Sequence, residues 1–206
     1  MAIETHAHDG TAYRKLSYWY AHDGSAWRYL YEVYCHDGTD WRRVFIKGRW
    51  IKLGIPNSPY HITEIGGTIY AAFAYSGVNG GVQYWTGSTW VKLGTLDTAR
   101  YVTEIGGTIY AAFDGSSGGV HYWTGSTWVK LGTLSFAWHV TEIGGTIYAA
   151  FDDSSCGVHY WTGSTWVKLG TLDTARYVTE IGGTIYAAFA GSSGGVYYWS
   201  IPVSQM

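Results

Sequence analysis

Thr103-Glu104-Ile105-Gly106-Gly107-Thr108-Ile109-Tyr110-Ala111-Ala112-Phe113 decides the fold, because the same eleven residues return at Thr63, Thr141 and Thr179. The copies start 40, 38 and 38 residues apart, and each is followed by a Gly-Val-x-Tyr-Trp piece. The first three copies then add Thr-Trp-Val-Lys-Leu-Gly, whereas the fourth stops at Tyr198-Trp199-Ser200. Its missing piece stands ahead of the first copy, at Arg49-Trp50-Ile51-Lys52-Leu53-Gly54.

Within the second copy the apolar alternation predicts four strands: a at Tyr101–Ile105, b at Thr108–Phe113, c at Gly119–Thr124 and d at Thr127–Gly132. Gly106-Gly107, a Gly/Ser-rich loop and Gly125-Ser126 join them. Four antiparallel strands every ~40 residues mark one blade of a β-propeller. The d strands fall at 49–54, 89–94, 127–132 and 165–170, so four complete blades require the strand at 49–54 to join the last blade. The predicted fold is therefore all-β: a four-bladed β-propeller over 49–206 closed by an N-terminal strand, which removes an exposed sheet edge. An open array of sheets, or blades completed by another protomer, is the alternative.

Residues 1–48 carry a different period. His8-Asp9-Gly10, His22-Asp23-Gly24 and His36-Asp37-Gly38 recur every 14 residues, followed by Tyr13-Arg14, Trp27-Arg28 and Trp41-Arg42. Asp-Gly between alternating aromatic residues predicts two-residue hairpins of type I′, which need positive φ at both central positions. A 14-residue β unit cannot bury its own aromatic face, so this segment is expected to self-associate.

Composition fits this reading. The 206 residues are 47% hydrophobic and 18% aromatic, with 29 Gly at repeating positions between Val/Ile/Thr/Tyr/Trp runs. Net charge is −2 with no basic stripe, which argues against nucleic acid as a partner. The first residues lack a basic and apolar leader pattern, so no signal peptide is expected, and no apolar run reaches membrane-spanning length, so no membrane insertion is expected. Cys35 and Cys156 lie in different parts of the chain, and Cys156 takes the place of Gly118 and Gly194 in sister copies; thiols are expected rather than a disulfide or metal site.

Comparing the copies separates scaffold from variation. The Gly-Gly turns between a and b are invariant, and the c–d turns keep Thr-Gly-Ser-Thr at 86, 124 and 162. The d–a connections vary, with Tyr60 and His61, then Asp97, Arg100 and Tyr101, then Phe136, Trp138 and His139, then Asp173, Arg176 and Tyr177. So do the b–c loops, with Tyr75 and Asn79, Asp114, Asp152 and Asp153, and one strand c position that reads Gln83, His121, His159 and Tyr197. In an up-and-down blade the d–a and b–c loops emerge on one side, so these twenty residues are the candidate ligand-binding face. Aromatic planes cover apolar sugar faces while Asp, Asn and Arg bond hydroxyls, which points to a glycan. The competing reading is that loops simply tolerate change after recent duplication.

Reaction chemistry is not apparent. Glu64, Glu104, Glu142 and Glu180 repeat with the blades and are expected to be structural rather than a cation ring or a catalytic carboxylate pair, which would break the symmetry. His6-Ala7-His8 puts two imidazoles on one face of a strand, and is the low-ranked metal candidate. No Ser-His-Asp spacing, Walker loop, Rossmann glycines or Cys-x-x-Cys is present, so neither catalytic residues nor a cofactor are expected.

The 14-residue unit resembles fibre-shaft repeats of viral adhesins and the short Asp-Gly-x-x-Trp-Arg repeats of tail-associated proteins of tailed bacteriophages; it covers about a quarter of the chain. His6-x-His8 is similar to the trimeric iron sites of phage needles and fibres. The hairpin Gly119–Leu131 resembles a kelch-type or tectonin-type blade end, although the double Gly that follows strand b in kelch repeats is absent. These resemblances imply a virion tail-fibre adhesin whose short repeats wind with copies of themselves as a homotrimer. Residues 1–48 would attach to other tail proteins and the propeller would bind a host-surface glycan or receptor. A structural tail component without ligand, a soluble lectin-like propeller and a polysaccharide depolymerase are the other readings.

Overall fold

The computed structural model describes the backbone of residues 20–22, 27–29, 32–36 and 41–46, and residues 51–54, 58–153 and 156–200 with their side chains, Ser193 by backbone alone. It divides into two compact units, 1–52 and 53–206, a boundary four residues beyond the predicted one. Among the described residues all regular structure is β apart from two single 3-10 turns at Gly77–Asn79 and Gly191–Ser193. No helix among the described residues is long and apolar enough to cross a membrane.

The first unit contains two antiparallel hairpins, β1 (Tyr20–His22) with β2 (Trp27–Tyr29) and β3 (Glu32–His36) with β4 (Trp41–Ile46). His22 pairs with Trp27 and His36 with Trp41, a register that, contrary to expectation, does not centre a two-residue turn on Asp-Gly; the connecting residues themselves lie outside the described ones. The aromatic-Arg pairs Trp27-Arg28 and Trp41-Arg42 open the returning strands. His6 and His8 lie outside the described residues.

The second unit is built from four antiparallel meanders, one per repeat. Sheet 1 is β5 (His61–Ile65), β6 (Thr68–Phe73), β7 (Gly81–Trp85) and β8 (Trp90–Lys92). Sheet 2 is β9 (Ala99–Ile105), β10 (Thr108–Phe113), β11 (Gly119–Trp123) and β12 (Trp128–Lys130). Sheet 3 is β13 (Ala137–Ile143), β14 (Thr146–Phe151), β15 (Val158–Trp161) and β16 (Trp166–Lys168). Sheet 4 has three strands, β17 (Ala175–Ile181), β18 (Thr184–Phe189) and β19 (Gly195–Tyr198).

The Tyr-Ala-Ala-Phe motif explains how sheets stack. Successive strand residues point to opposite faces, and in sheets 2 and 3 both faces of strand b meet a neighbouring sheet, so the residues on both are small. Ala111 joins Ala72, Val82, Ala99, Val102, Phe113 and Trp128 in the core between sheets 1 and 2. Its neighbour Ala112 faces the other way, into the core between sheets 2 and 3 with Val120, Val140, Ala149, Phe151 and Trp166. Ala150, Val158, Ala175, Val178 and Ala187 fill the third interface. Phe73, Phe113 and Phe151 are at most 1% exposed, each contributing about 1.5–3 kcal/mol of burial.

A second device locks neighbours together. Trp128 Nε1 donates to Leu93 O of the preceding sheet (2.7 Å), and Trp166 Nε1 donates to Leu131 O (2.6 Å). Gly94 and Gly132, both at φ 74, lie so close to these indoles that a Cβ would stand 2.6–2.7 Å from the Trp Cδ1 atoms. Trp90 Nε1 donates in the same way to Leu53 O (2.7 Å), with Gly54 beside Trp85 and Trp90.

The expected strand at 49–54 is corrected in part. Residues 51–54 form no ladder, and among the described residues sheet 4 ends at β19. Leu53 and Gly54 instead lie against Trp90 of sheet 1 as Leu93 and Gly94 lie against Trp128 of sheet 2. Among the described residues sheets 1 and 4 each keep one side uncovered: Ile62 is 59% exposed where its counterparts Val102 and Val140 are fully buried, and Ile181 is 63% exposed where Ile105 and Ile143 are half-buried.

Candidate functional site

The candidate site forms where the inner strands begin. Arg100 is an extra residue in β9, since Tyr101 pairs with Ala112 and Ala99 with Phe113. Trp138 and Arg176 occupy the same irregularity in β13 and β17. Such a bulge re-aims side chains, and two consecutive residues of each strand thereby contribute to the middle of the unit.

Two layers result. In the outer one, the Arg100 guanidinium lies 4.3 Å from the ring centre of Tyr60 and 4.3 Å from that of Trp138, and Arg176 lies 4.0 Å from Trp138. Tyr60 meets Trp138 edge-on at 6.4 Å. Asp114 takes Arg100 through Nε (3.0 Å) and Nη2, and Asp152 takes Arg176 at 2.9 Å. Cation–π contacts and ion pairs thus hold both guanidinium groups. The triangle with sides 4.3, 4.3 and 6.4 Å has an apex of about 96° at Arg100, close to a square corner.

The inner layer is a run of stacked rings: His61 to Tyr101 at 3.8 Å, Tyr101 to His139 at 4.2 Å, His139 to Tyr177 at 4.0 Å. His139 is 2% exposed, and neither ring nitrogen has a hydrogen-bond partner among the described residues. Burial, with His61 nearby, pulls its pKa down to about 3. Burial also lowers His61, partly offset by a hydrogen bond to the Val102 backbone, and raises the Tyr101 phenol, with Tyr177 adding to the rise. The layer is therefore neutral at pH 7. Sheets 1 and 3 supply aromatic-His and sheets 2 and 4 supply Arg-Tyr, so the two kinds alternate.

Around this centre the variable loops knit into one surface. Thr98 N donates to Tyr75 O of the preceding sheet (3.1 Å), and Asp114 N donates to Thr98 O (2.9 Å). Phe136 and Thr174 make the same two bonds, to Gly115 and Asp152 and to Asp153 and Ala190. The d–a and b–c loops thus lie together on one side, as expected. Each bridging residue has a left-handed backbone, φ 56 at Thr98 and Phe136 and 57 at Thr174, a conformation costly for β-branched or bulky side chains. Lys92 and Lys168 pin the loops through ion pairs with Asp97 and Asp173, and Lys92 also draws Asp97 below the usual carboxylate range. Lys130 has Ser135 instead, at 3.1 Å, and burial lowers its pKa.

Not every predicted residue is on that surface. Gln83, His121 and His159 are 3–6% exposed and packed inside their sheets. Gln83 donates to Val78 O and Gly80 O. His121 and His159 stand edge-on to Phe113 and Phe151, 5.1 and 5.3 Å away, with Nδ1 beside Gly119 O and Gly157 O. Burial lowers both pKa values. Tyr60, Tyr75 and Tyr177 are about half exposed and remain at the surface, with Asn79. The repeated glutamates cap their own turns: Glu142 Oε1 accepts from Gly145 N (3.1 Å), and Glu64 and Glu180 accept from Gly67 and Gly183. Among the described residues no three His, Cys, Asp or Glu side chains converge as metal ligands. Cys156 is buried, its N–H donating to Asp153 O (3.1 Å).

No protein-family model and no curated protein matches the sequence. Among solved structures, the chain is similar to the extracellular domain of a hybrid two-component system protein from B. thetaiotaomicron, with a TM-score of 0.54 at 15% identity. The match covers 70% of this chain and 20% of that one, so this chain spans about a fifth of that neighbour's length. At that identity the likeness is one of fold, a repeated antiparallel β-sheet architecture.

Proposed function

We propose that the chain is a non-enzymatic adhesin of a virion tail fibre: a four-bladed propeller completed by residues 49–54, whose loop face binds a host-surface glycan. Residues 1–48 would carry it on the particle and associate with copies of themselves. The observation that carries the reading is the loop face itself. The connections at Thr98, Phe136 and Thr174 each bond to the preceding sheet's variable loop there through the backbone, and half-exposed Tyr60, Tyr75 and Tyr177 stand on that side with Asp97 and Asn79. A rigid base with exposed aromatic planes and nearby carboxylate and amide groups suits a saccharide.

A glycan array probed with multimerised full-length protein tests the proposal. It predicts binding that Tyr75→Ala weakens at least tenfold without changing thermal stability. Uniform silence across host polysaccharides at high loading overturns it and favours the ligand-free structural role, to which the internally paired Arg100 and Arg176 lend support. Release of reducing ends from host polysaccharide would overturn the non-enzymatic part.

A further inference from the structure

The last strand of sheets 1, 2 and 3 ends on a lysine, Lys92, Lys130 or Lys168. In two of the three a carboxylate follows five residues on, in the d–a connection: Lys92 pairs with Asp97 and Lys168 with Asp173. The b–c loop of sheet 1 completes the first arrangement, with Lys92 Nζ donating to Gly77 O (2.9 Å) and Gly77 N donating to Asp97 Oδ2 (3.0 Å). Sheet 2 keeps the lysine and lacks the acid. Ser135 stands in the place of Asp97 and Asp173; Lys130 Nζ donates to its Oγ (3.1 Å), and that hydroxyl donates to Ser116 O (2.8 Å). Asp114, on the same b–c loop, is turned instead to Arg100 and to the Gly115 N–H. Among the described residues no carboxylate forms an ion pair with Lys130.

We infer that the Lys130 ammonium and the Ser135 hydroxyl bind the carboxylate of a sugar acid, an assignment that rests on the loop side being the ligand face and names the class of its glycan. The sister sites show that this place accepts a carboxylate. They also show that it is open: the Asp97 and Asp173 side chains are 37 and 43% exposed, so an acid group can enter from solvent where the chain supplies none. Lys130 itself is half-buried, and removal from water lowers its pKa, so an anion in contact offsets a charge that nothing else balances. The next residue points to a sugar rather than a bare anion. Thr98 and Thr174 turn their hydroxyls to Asp114 O and Ala190 O (2.9 and 2.7 Å), whereas Phe136 puts a ring at this position. That ring is half-buried yet belongs to none of the three cores between sheets. A lost carboxylate beside a gained aromatic plane suits a saccharide that carries its own acid group.

The test titrates the full-length protein with sodium glucuronate, with glucose, which lacks only the acid group, and with sodium acetate, which lacks the ring. Glucuronate is expected to bind about tenfold or more tightly than either. Lys130→Gln should abolish that preference by removing the cation. Ser135→Asp should abolish it too, by seating a carboxylate of the chain itself where the ligand's would lie. Because Ser135→Asp keeps Lys130 and copies the sister sites, it decides the matter even if the Lys130→Gln protein fails to fold. A Ser135→Asp protein that melts below the wild type would show that the place refuses a carboxylate, and overturns the inference. So does an equal response to glucuronate and glucose, or a preference that survives either substitution. Acetate bound as tightly as glucuronate overturns the assignment to a saccharide. Glucuronate held through Lys130 in a protein that is silent on the glycan array supports the site while overturning the adhesin reading; array binding indifferent to the sugars' carboxylates does the reverse.

Discussion

Replacing Gly132 by alanine tests the joint between sheets. Gly132 has φ 74, and an added Cβ would stand 2.6 Å from Trp166 Cδ1 and 2.9 Å from Trp161 Cζ3. The indole cannot retreat freely, because Nε1 is bonded to Leu131 O at 2.6 Å and the ring stands edge-on to Phe151. Left-handed backbone costs an L-residue about 1–2 kcal/mol, and overpacking a tight contact adds about 1–3 kcal/mol. The expected loss of about 2–5 kcal/mol corresponds to a drop in Tm of about 5–20 °C for a chain of this size. Gly125→Ala is the control: φ is 96 and nothing lies within 4 Å, so only the backbone cost of about 1–2 kcal/mol remains. Thermal melts followed by the near-ultraviolet circular dichroism of the tryptophans measure both. Equal losses in the two variants would refute the steric argument and reduce the joint to a turn.

His139 is neutral in the folded protein and protonates in the unfolded chain below about pH 6.5, so the unfolded state binds more protons between about pH 6.5 and 3. Stability is then full above about pH 6.5 and falls by up to about 1.4 kcal/mol per unit as pH drops through that window. His139→Tyr, the residue at this place in sheets 2 and 4, should reduce the slope by about one proton, and an unchanged slope counts against the burial argument. Ser135→Asp gives Lys130 the carboxylate that Lys92 and Lys168 already have, and should stabilise by about 0.5–1 kcal/mol at low salt; a loss would show that the half-buried site does not accept the charge. Trp138→Ala and Arg176→Ala in a double-mutant cycle should couple by about 0.5–2 kcal/mol, and additivity in denaturant melts would remove the cation–π contact from the account.

Strands a, b and c were legible because Gly-Gly punctuates them and the Val/Ile/Tyr alternation has period two, so Thr108–Phe113 is a strand in sequence and structure alike. The one-sided arrangement of the variable loops was legible too, since a meander returns alternate connections to the same end. The centre was not. Nothing in Ala-Arg-Tyr or Ala-Trp-His announces a bulge; it arises because strand a must turn inward while strand b stays in register. Thr98 and Phe136 hide a left-handed backbone behind residues that rarely adopt it, and their hydrogen bonds to the preceding sheet and to the b–c loop of their own sheet sustain it. His121 and His159 vary between copies yet are buried, because variation in a strand residue records repacking against a phenylalanine as readily as contact with a ligand.

The alternation of aromatic-His with Arg-Tyr also limits how this gene can change length. Residues 97–113 and 173–189 are identical, and near-identical tandem copies invite unequal recombination. Gain or loss of a single internal copy would set guanidinium against guanidinium and phenol against phenol, whereas an exchange of two adjacent copies leaves every neighbour unlike. The heritable unit is therefore the pair, and length variants are expected to differ by multiples of about 76 residues.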